Sequence, residues 1–366
     1  MSVPIVAAGR SPFAAADGAL AGWHPVDLAA TVITSILDRA EVGPALLDHV
    51  WVGCDEPVGA QGANVARAIG LAAGWPETIG GTTVDAAPHS GMSALAAACD
   101  AIESGRTASA AVVGLSSAST VQPGASALGR MYGRPWGDGP AERYEDLGGI
   151  VPPIVAADRV AVGLGIDRAA QESWGLRSIG RRSSPPTALV TVGSKPGDGV
   201  AMQRDTPIGA DAVRTIAIDE LEPMFEPDGT TTAAGFAPPA DGVSVLVLGA
   251  GGSTDAIGEI CGVSIRAGSP FDLRGPLMTS VDDGKTADRV DLACGSASMA
   301  LVAVDALAID DELVDANGGT IAVGDAAAAE DLRLIVDGVH RAGPGKTGRA
   351  VRVAPGAAAG CVWRRL

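Results

Sequence analysis

A layered α/β fold is predicted by three features of this 366-residue sequence. Short apolar runs alternate along the chain with segments whose apolar residues recur at helical spacing. A strand-turn-helix-strand unit occurs twice, as an internal duplication would leave it. Aromatic residues make up only 3% of the chain while glycines number 50, so the layers are expected to approach closely through small side chains.

The elements follow in order. Val3–Ala8 is a short apolar run, and Pro25–Ala40 has helical spacing that ends in the charged Asp38 and Arg39. His49–Gly53 reads as a strand, Asn64–Ala73 as a helix and Thr82–Asp85 as a strand. The alanine-rich Gly91–Ser104 is a helix leading to the strand Ala110–Gly114. From about Val121 to Ile208 the texture changes: Pro, Gly, Arg and Trp cluster, and the one clear helix, Arg168–Arg182, is stopped by Ser183–Pro186. Val243–Gly249 reads as a buried strand. The second copy of the unit runs from a strand at Thr320–Val323 through a turn at Gly324–Asp325 and a helix at Glu330–His340 to a strand at Ala350–Ala354.

Bulk properties exclude several classes of function. A net charge of -17 repels polyanions, so nucleic acid and anionic membrane are poor partners. The longest apolar stretches, such as Val243–Ala250, fall far short of the ~18 residues of a membrane span. The five cysteines are odd in number and scattered, with no CxxC pair, so neither a disulfide framework nor a zinc site is implied. The start MSVPIVAAGRSPF has no basic segment followed by a long apolar run, and a cytoplasmic protein without a membrane span is expected.

Several segments resemble the signatures of the thiolase superfamily. IVAAGRSPFAAADGALAGWHPVDLAATVITSILDRA resembles a thiolase start, including Arg10, Pro12 and Gly18. VWVGCDEPVGAQGANVARAIGLAAGWP, GTTVDAAPHSGMSALAAACDAIESG, DGTTTAAGFAPPADGVSVLVLG and VDANGGTIAVGD resemble later blocks in the family's order. The resemblance implies a five-layered α/β/α/β/α fold of two duplicated halves with an inserted loop domain. The implied division is 1–120 plus 209–252 for the N-terminal half, 121–208 for the insertion and 253–366 for the C-terminal half. It also implies a homodimer or tetramer, acyl-CoA or lipid metabolism, and coenzyme A or acyl-CoA as ligand with no other cofactor and no metal.

The same resemblance puts the chemistry in question. A thiolase uses a nucleophilic cysteine at a helix start, where the helix end favours the thiolate. The matching position is Pro88, which has neither a nucleophile nor the backbone N–H that the family uses to hold an oxyanion. The family's histidine, in a Gly-His-Pro turn, is matched by Asp325, whose negative charge would repel a developing enolate. Its second cysteine is matched by Ala354, although the nearby Gly356 is kept. A block that positions a catalytic water falls at Gly295–Ser298 without its amide and carboxylate, and a coenzyme A-contacting serine falls at Ala237.

These changes predict a non-catalytic subunit or an acyl-CoA-binding homologue, a pseudoenzyme on a thiolase scaffold. An active thiolase homologue or an OB-fold protein is the expected partner. The alternative is an acyl-CoA acyltransferase or a retro-aldolase-like C–C lyase using other residues: His89, Ser90, Asp325, or the tyrosines Tyr132 and Tyr144. His89 equally suits a turn, and Ser90 a helix cap. His24, His49 and His340 are expected to be structural, and Cys99 and Cys294 to be buried small residues. Arg177, Arg181 and Arg182, on the insertion helix, are candidates to hold the phosphates of coenzyme A or to form a solvated face.

Overall fold

The computed structural model describes residues 2–128, 137–182, 188–198, 201–206, 218–249, 256–280 and 287–366. The strand β1 (Val3–Arg10) lies inside a ten-stranded sheet. On one side of it run β8 (Ala240–Gly249), β5 (Ser109–Ser117), β3 (His49–Gly53) and β4 (Gly80–Val84). On the other run β9 (Gly258–Ala267), β12 (Ala357–Arg365), β11 (Thr347–Ala354) and β10 (Arg289–Cys294). The short β2 (Ala14–Ala15) pairs with β8, while β6 (Val192–Gly193) and β7 (Ala201–Met202) form a separate ribbon.

The two sides are built alike. β3 is parallel to both β4 and β5, β5 is antiparallel to β8, and β8 to β1. On the second side β10 is parallel to β11 and is bridged in parallel by Val314, β11 is antiparallel to β12, and β12 to β9. Val314 thus stands where β4 stands in the first half. The helices repeat as well. α1 (Pro25–Arg39), α2 (Val65–Ala72) and α3 (Ser90–Glu103) connect the first set. α8 (Arg274–Ser280), α9 (Ala297–Ala306), α10 (Gly319–Val323) and α11 (Ala327–Arg341) connect the second.

Contacts order these elements into five layers. α1 packs on β1, β5 and β8, and α2 on β3 and β4; α8 packs on β9 and β12, and α9 on β10 and β11. Between the two halves of the sheet lie α3 and α11, which touch each other and strands from both sides. Three apolar cores fill the gaps: one under α1 and α2, one around α3 and α11, and one under α8 and α9. This is the layered α/β fold expected, with the predicted strands and helices, Thr320–Val323 apart, recovered to within a few residues.

Two expectations need correction. Thr320–Val323 is part of the short helix α10, not a strand. Gly318 and Gly319 turn the chain with positive φ angles of 112° and 63°, and the Thr320 hydroxyl takes up the Cys294 N–H at 3.2 Å. A side chain therefore supplies the hydrogen bond that a strand backbone would have supplied. The segment after Val121 is also more helical than its composition suggests. Besides α7 (Arg168–Gly180) it holds α4 (Ala125–Leu128), α5 (Asp138–Arg143) and α6 (Pro153–Leu164). Proline sits at the first turn of α6 and Gly165 ends it in the left-handed region, so Pro and Gly here mark the two ends of a helix. The stop at Ser183–Pro186 and Tyr132 lie outside the described residues.

Candidate functional site

The site gathers where the central helices begin. β3 ends at Gly53, whose missing side chain lets the strand approach the Ser90–Gly91 backbone. Two residues further on, Asp55 faces the first turn of α3. Ahead of that turn, Ala87–Pro88 is a cis peptide, and the His89 N–H is spent on the Ala86 carbonyl at 3.0 Å. The Ser90 hydroxyl accepts the Ala86 N–H at 2.9 Å and faces the Asp55 carboxylate, as does the Ser90 backbone N–H. Ser90 is fully buried, and its hydroxyl closes the turn before α3 instead of capping the helix, whose N-cap His89 makes no side-chain capping bond.

His89 is half-buried. Its Nδ1 is tethered to Ser93 Oγ at 3.0 Å, and burial, with Arg352 adding repulsion, holds its imidazole below the usual histidine range. A neutral ring is the result at neutral pH.

Asp325 reaches the same region from the turn before α11. Its backbone is clamped to the Pro238–Ala240 segment, donating to the Pro238 carbonyl at 2.8 Å and accepting the Ala240 N–H at 2.9 Å. The carboxylate is held by Arg352, whose Nη1 donates to both oxygens at 3.2 Å. Arg352 also donates through Nε to Asp331 at 2.6 Å and through Nη2 to the Ala327 carbonyl at 2.6 Å. Burial opposes its charge, but Asp325 and Asp331 outweigh that cost and keep the guanidinium protonated. Asp331 is fully buried on α11, and burial pushes its carboxyl up to about 7 despite Arg352. The Asp55 carboxyl is raised too, by burial first, and its Oδ1 is a buried oxygen with no hydrogen-bond partner.

Gly295 lines the far side; a side chain there would meet the Asp325 carboxylate, Ile154 and Met299. Ser296 and Ser298 bond each other at 2.7 Å, and Ala237 donates to the Gly295 carbonyl at 3.0 Å. The structure thus sets His89 and Asp325 about the same Arg352, with Gly295 beside the Asp325 carboxylate.

The other candidates lie elsewhere. Arg177 pairs with Asp311 and stacks over Trp174 at 4.1 Å, while Arg181 donates to the Val314 carbonyl at 2.9 Å and to Glu312 at 3.0 Å. Arg182 follows the end of α7, partly exposed. Gly356, with φ 76°, turns the β11–β12 hairpin against Ser269–Asp272. Tyr144 packs beside Phe271 of that loop. His24 caps α1, His49 bonds Thr82 at 2.9 Å and His340 bonds the Ala8 carbonyl at 3.0 Å, all structural uses. Cys99 and Cys294 are buried, with thiols pushed up by burial. No group of three metal-ligating side chains occurs among the described residues.

Sequence reasoning missed Asp55, Asp331 and Arg352. The signal was there in α11: Glu330, Asp331, Arg333 and Asp337 interrupt its apolar residues on several faces, although every residue from Ala328 to Val339 is buried.

Comparison with known proteins places this geometry in a family. The profile described as the thiolase N-terminal domain matches residues 3–251, and the chain belongs to the thiolase family. It is 29% identical over 361 residues to a steroid 3-ketoacyl-CoA thiolase, FadA6, of Mycobacterium tuberculosis, covering 90% of this chain and 85% of that one. A beta-ketoadipyl-CoA thiolase of Pseudomonas aeruginosa is 28% identical over 91% of this chain and 90% of its own. Among solved structures, the acetyl-CoA acetyltransferase of Bacillus anthracis superposes with a TM-score of 0.82 at 25% identity, covering 100% of this chain and 99% of that one. The Acat5 thiolase of Ascaris suum, solved in complex with coenzyme A, gives a TM-score of 0.82 at 20% identity over 100% of both chains.

Proposed function

We propose that this chain is a thiolase-fold protein that does not carry out thiolysis and serves acyl-CoA metabolism as a non-catalytic subunit, assembled as a homodimer or tetramer in the cytoplasm. The observation that carries the reading is the ion pair at Asp325. The position that resembles the family's catalytic histidine holds a carboxylate bound through both oxygens to Arg352. That group has no donor to offer an enolate, and both its oxygens are engaged by the guanidinium. Pro88 removes the nucleophile at the same place, and losing a nucleophile alone costs many orders of magnitude in rate.

Coenzyme A binding is the part of the reading most open to test. A relative of the same fold is described in complex with coenzyme A. In this chain, however, Arg177 and Arg181 are already paired with Asp311 and Glu312, and a phosphate would have to displace those carboxylates. A thiolysis assay on acetoacetyl-CoA and on a longer 3-ketoacyl-CoA, beside a coenzyme A titration by calorimetry, tests both points. No thiolysis is expected. Thiolysis above background sinks the reading. Binding without thiolysis shifts it to an acyl-CoA-binding homologue.

One observation favours a second reading, a C–C lyase or acyltransferase with other residues. With Nδ1 tethered to Ser93, His89 keeps Nε2 without a hydrogen bond among the described residues, as a general base would. If an activity on acyl-CoA is found and His89→Ala leaves it untouched, this alternative fails.

A further inference from the structure

The first turn of α3 has N–H groups at Ser90, Gly91 and Met92 that no helix carbonyl can satisfy. Ser93 is the first residue to bond back, to the His89 carbonyl at 2.9 Å. Such an end carries roughly half a positive charge and attracts anions. Here the chain supplies them. The Ser90 N–H and hydroxyl face Asp55, and the Met92 N–H donates to Asp331 Oδ2 at 3.2 Å. Both carboxylates come from outside the helix: Asp55 from the end of β3, Asp331 from α11. Gly91 makes the second approach feasible, since a side chain there would strike the Ala328 carbonyl and the Asp331 side chain. Arg352 is the nearby cation, and it is already engaged by Asp325, Asp331 and the Ala327 carbonyl.

We infer that Asp55 and Asp331 act as a built-in plug that fills the start of α3, occupies its free N–H groups and, as the two carboxyls ionise, opposes the stabilisation of a thiolate or a thioester oxyanion there. The inference rests on the reading of this chain as non-thiolytic and explains it one level deeper. Restoring a thiol at the helix start would not by itself restore an activated thiol, because the field that activates it is already neutralised from within. Asp55 is the lever the test uses: it sits just past the end of β3, whereas Asp331 is wired into Arg352 and the core.

The test places a thiol probe at the helix start of the full chain, through His89→Cys, and reads its alkylation by iodoacetamide from pH 6 to 10 by peptide mass spectrometry. With Asp55 present, the thiol should titrate at or above the ordinary ~8.5. Adding Asp55→Asn should lower that value by about one unit, seen as roughly tenfold faster alkylation at pH 7. Pro88→Cys is a second probe of the same field, and carries the test should the first variant not fold. A thiol already depressed well below ~8.5 beside Asp55, or one that Asp55→Asn leaves unmoved, overturns the plug. The thiolysis assay on the unaltered chain is independent of these titrations, so the plug and the non-catalytic reading can fail separately.

Discussion

The two helices of the central layer, α3 and α11, occupy matching slots in the two halves and solve the same problem in opposite ways. Both are buried between the sheet halves. α3 does it with Gly91, Met92, Ala94, Leu95, Ala98, Cys99 and Ala101, an interior of small and apolar groups. α11 carries Glu330, Asp331, Arg333 and Asp337 into the same dry layer. These charges are satisfied from strands and loops on all sides. Arg333 clasps Glu330 and Asp337; Arg10 ties Asp337 at 2.8 Å to Asp205 at 2.6 Å; Arg352 holds Asp331 and Asp325. A buried ion pair gains little over an apolar replacement, but it is costly to break on one side. The first helix is therefore held by packing, and the second by a network in which each member depends on its partners.

The largest expected effect is at Arg352. Arg352→Ala strips the counter-charge from Asp331 and Asp325 and should cost about 3–5 kcal/mol in urea unfolding. On α3 the corresponding change is Leu95→Ala, expected to cost about 2–4 kcal/mol through its cavity. The two differ in how they respond to pH. Leu95→Ala should destabilise equally across pH 5 to 8, whereas the cost of Arg352→Ala should grow as Asp331 ionises on the way through about 7. If both costs are flat with pH, the contrast between the helices is wrong.

A smaller effect is expected in the unaltered protein. Burial raises the carboxyls of Asp315 and Asp331 to about 7, above their unfolded value of 3.8. The folded state thus binds more protons between those limits, and the stability from these two groups is full below the lower value and lost as pH rises through about 7. Asp337, held below its usual range against the cost of burial by Arg10 and Arg333, works the other way and loses its contribution only as pH falls below that range. Melting temperature measured from pH 6.5 to 8 at fixed ionic strength, above the range in which the lowered His49, His89 and His340 titrate, should therefore decline towards the alkaline end; a rise would contradict it.

The smallest effect belongs to the arginines of α7. Glu312 is well exposed, so the ion pair lost in Arg181→Ala should be worth less than about 1 kcal/mol. The same variant weakens coenzyme A binding if that side chain holds a phosphate, and calorimetry separates the two uses.

How much of this was legible in the sequence follows from the range of the interactions. Strands and helices set by local spacing were readable, including His49–Gly53 to the residue. Pro88 and Asp325 were readable because the segments around them resemble known blocks. The failure at Thr320–Val323 came from a hydroxyl, not a pattern: Thr320 bonds Cys294, Leu292 and Glu330, all more than one turn away. Asp55, Asp331 and Arg352 were missed for a similar reason. Asp55 and Arg352 look like ordinary surface charges in their own segments, the charges of α11 hint only at a buried network, and only the layering brings three distant segments to one point.

Gly91 on α3 and Gly114 on β5 share a consequence. Added side chains at both would strike the same atom, the carbonyl oxygen of Ala328 on α11. Two bare positions in the first half of the chain are thus keyed to one residue in the second. The halves repeat one topology, yet they no longer drift independently: a change of size at either glycine must be answered more than two hundred residues away. Shuffling this half with that of another family member would fail at that single carbonyl unless the recipient brought small residues to meet it.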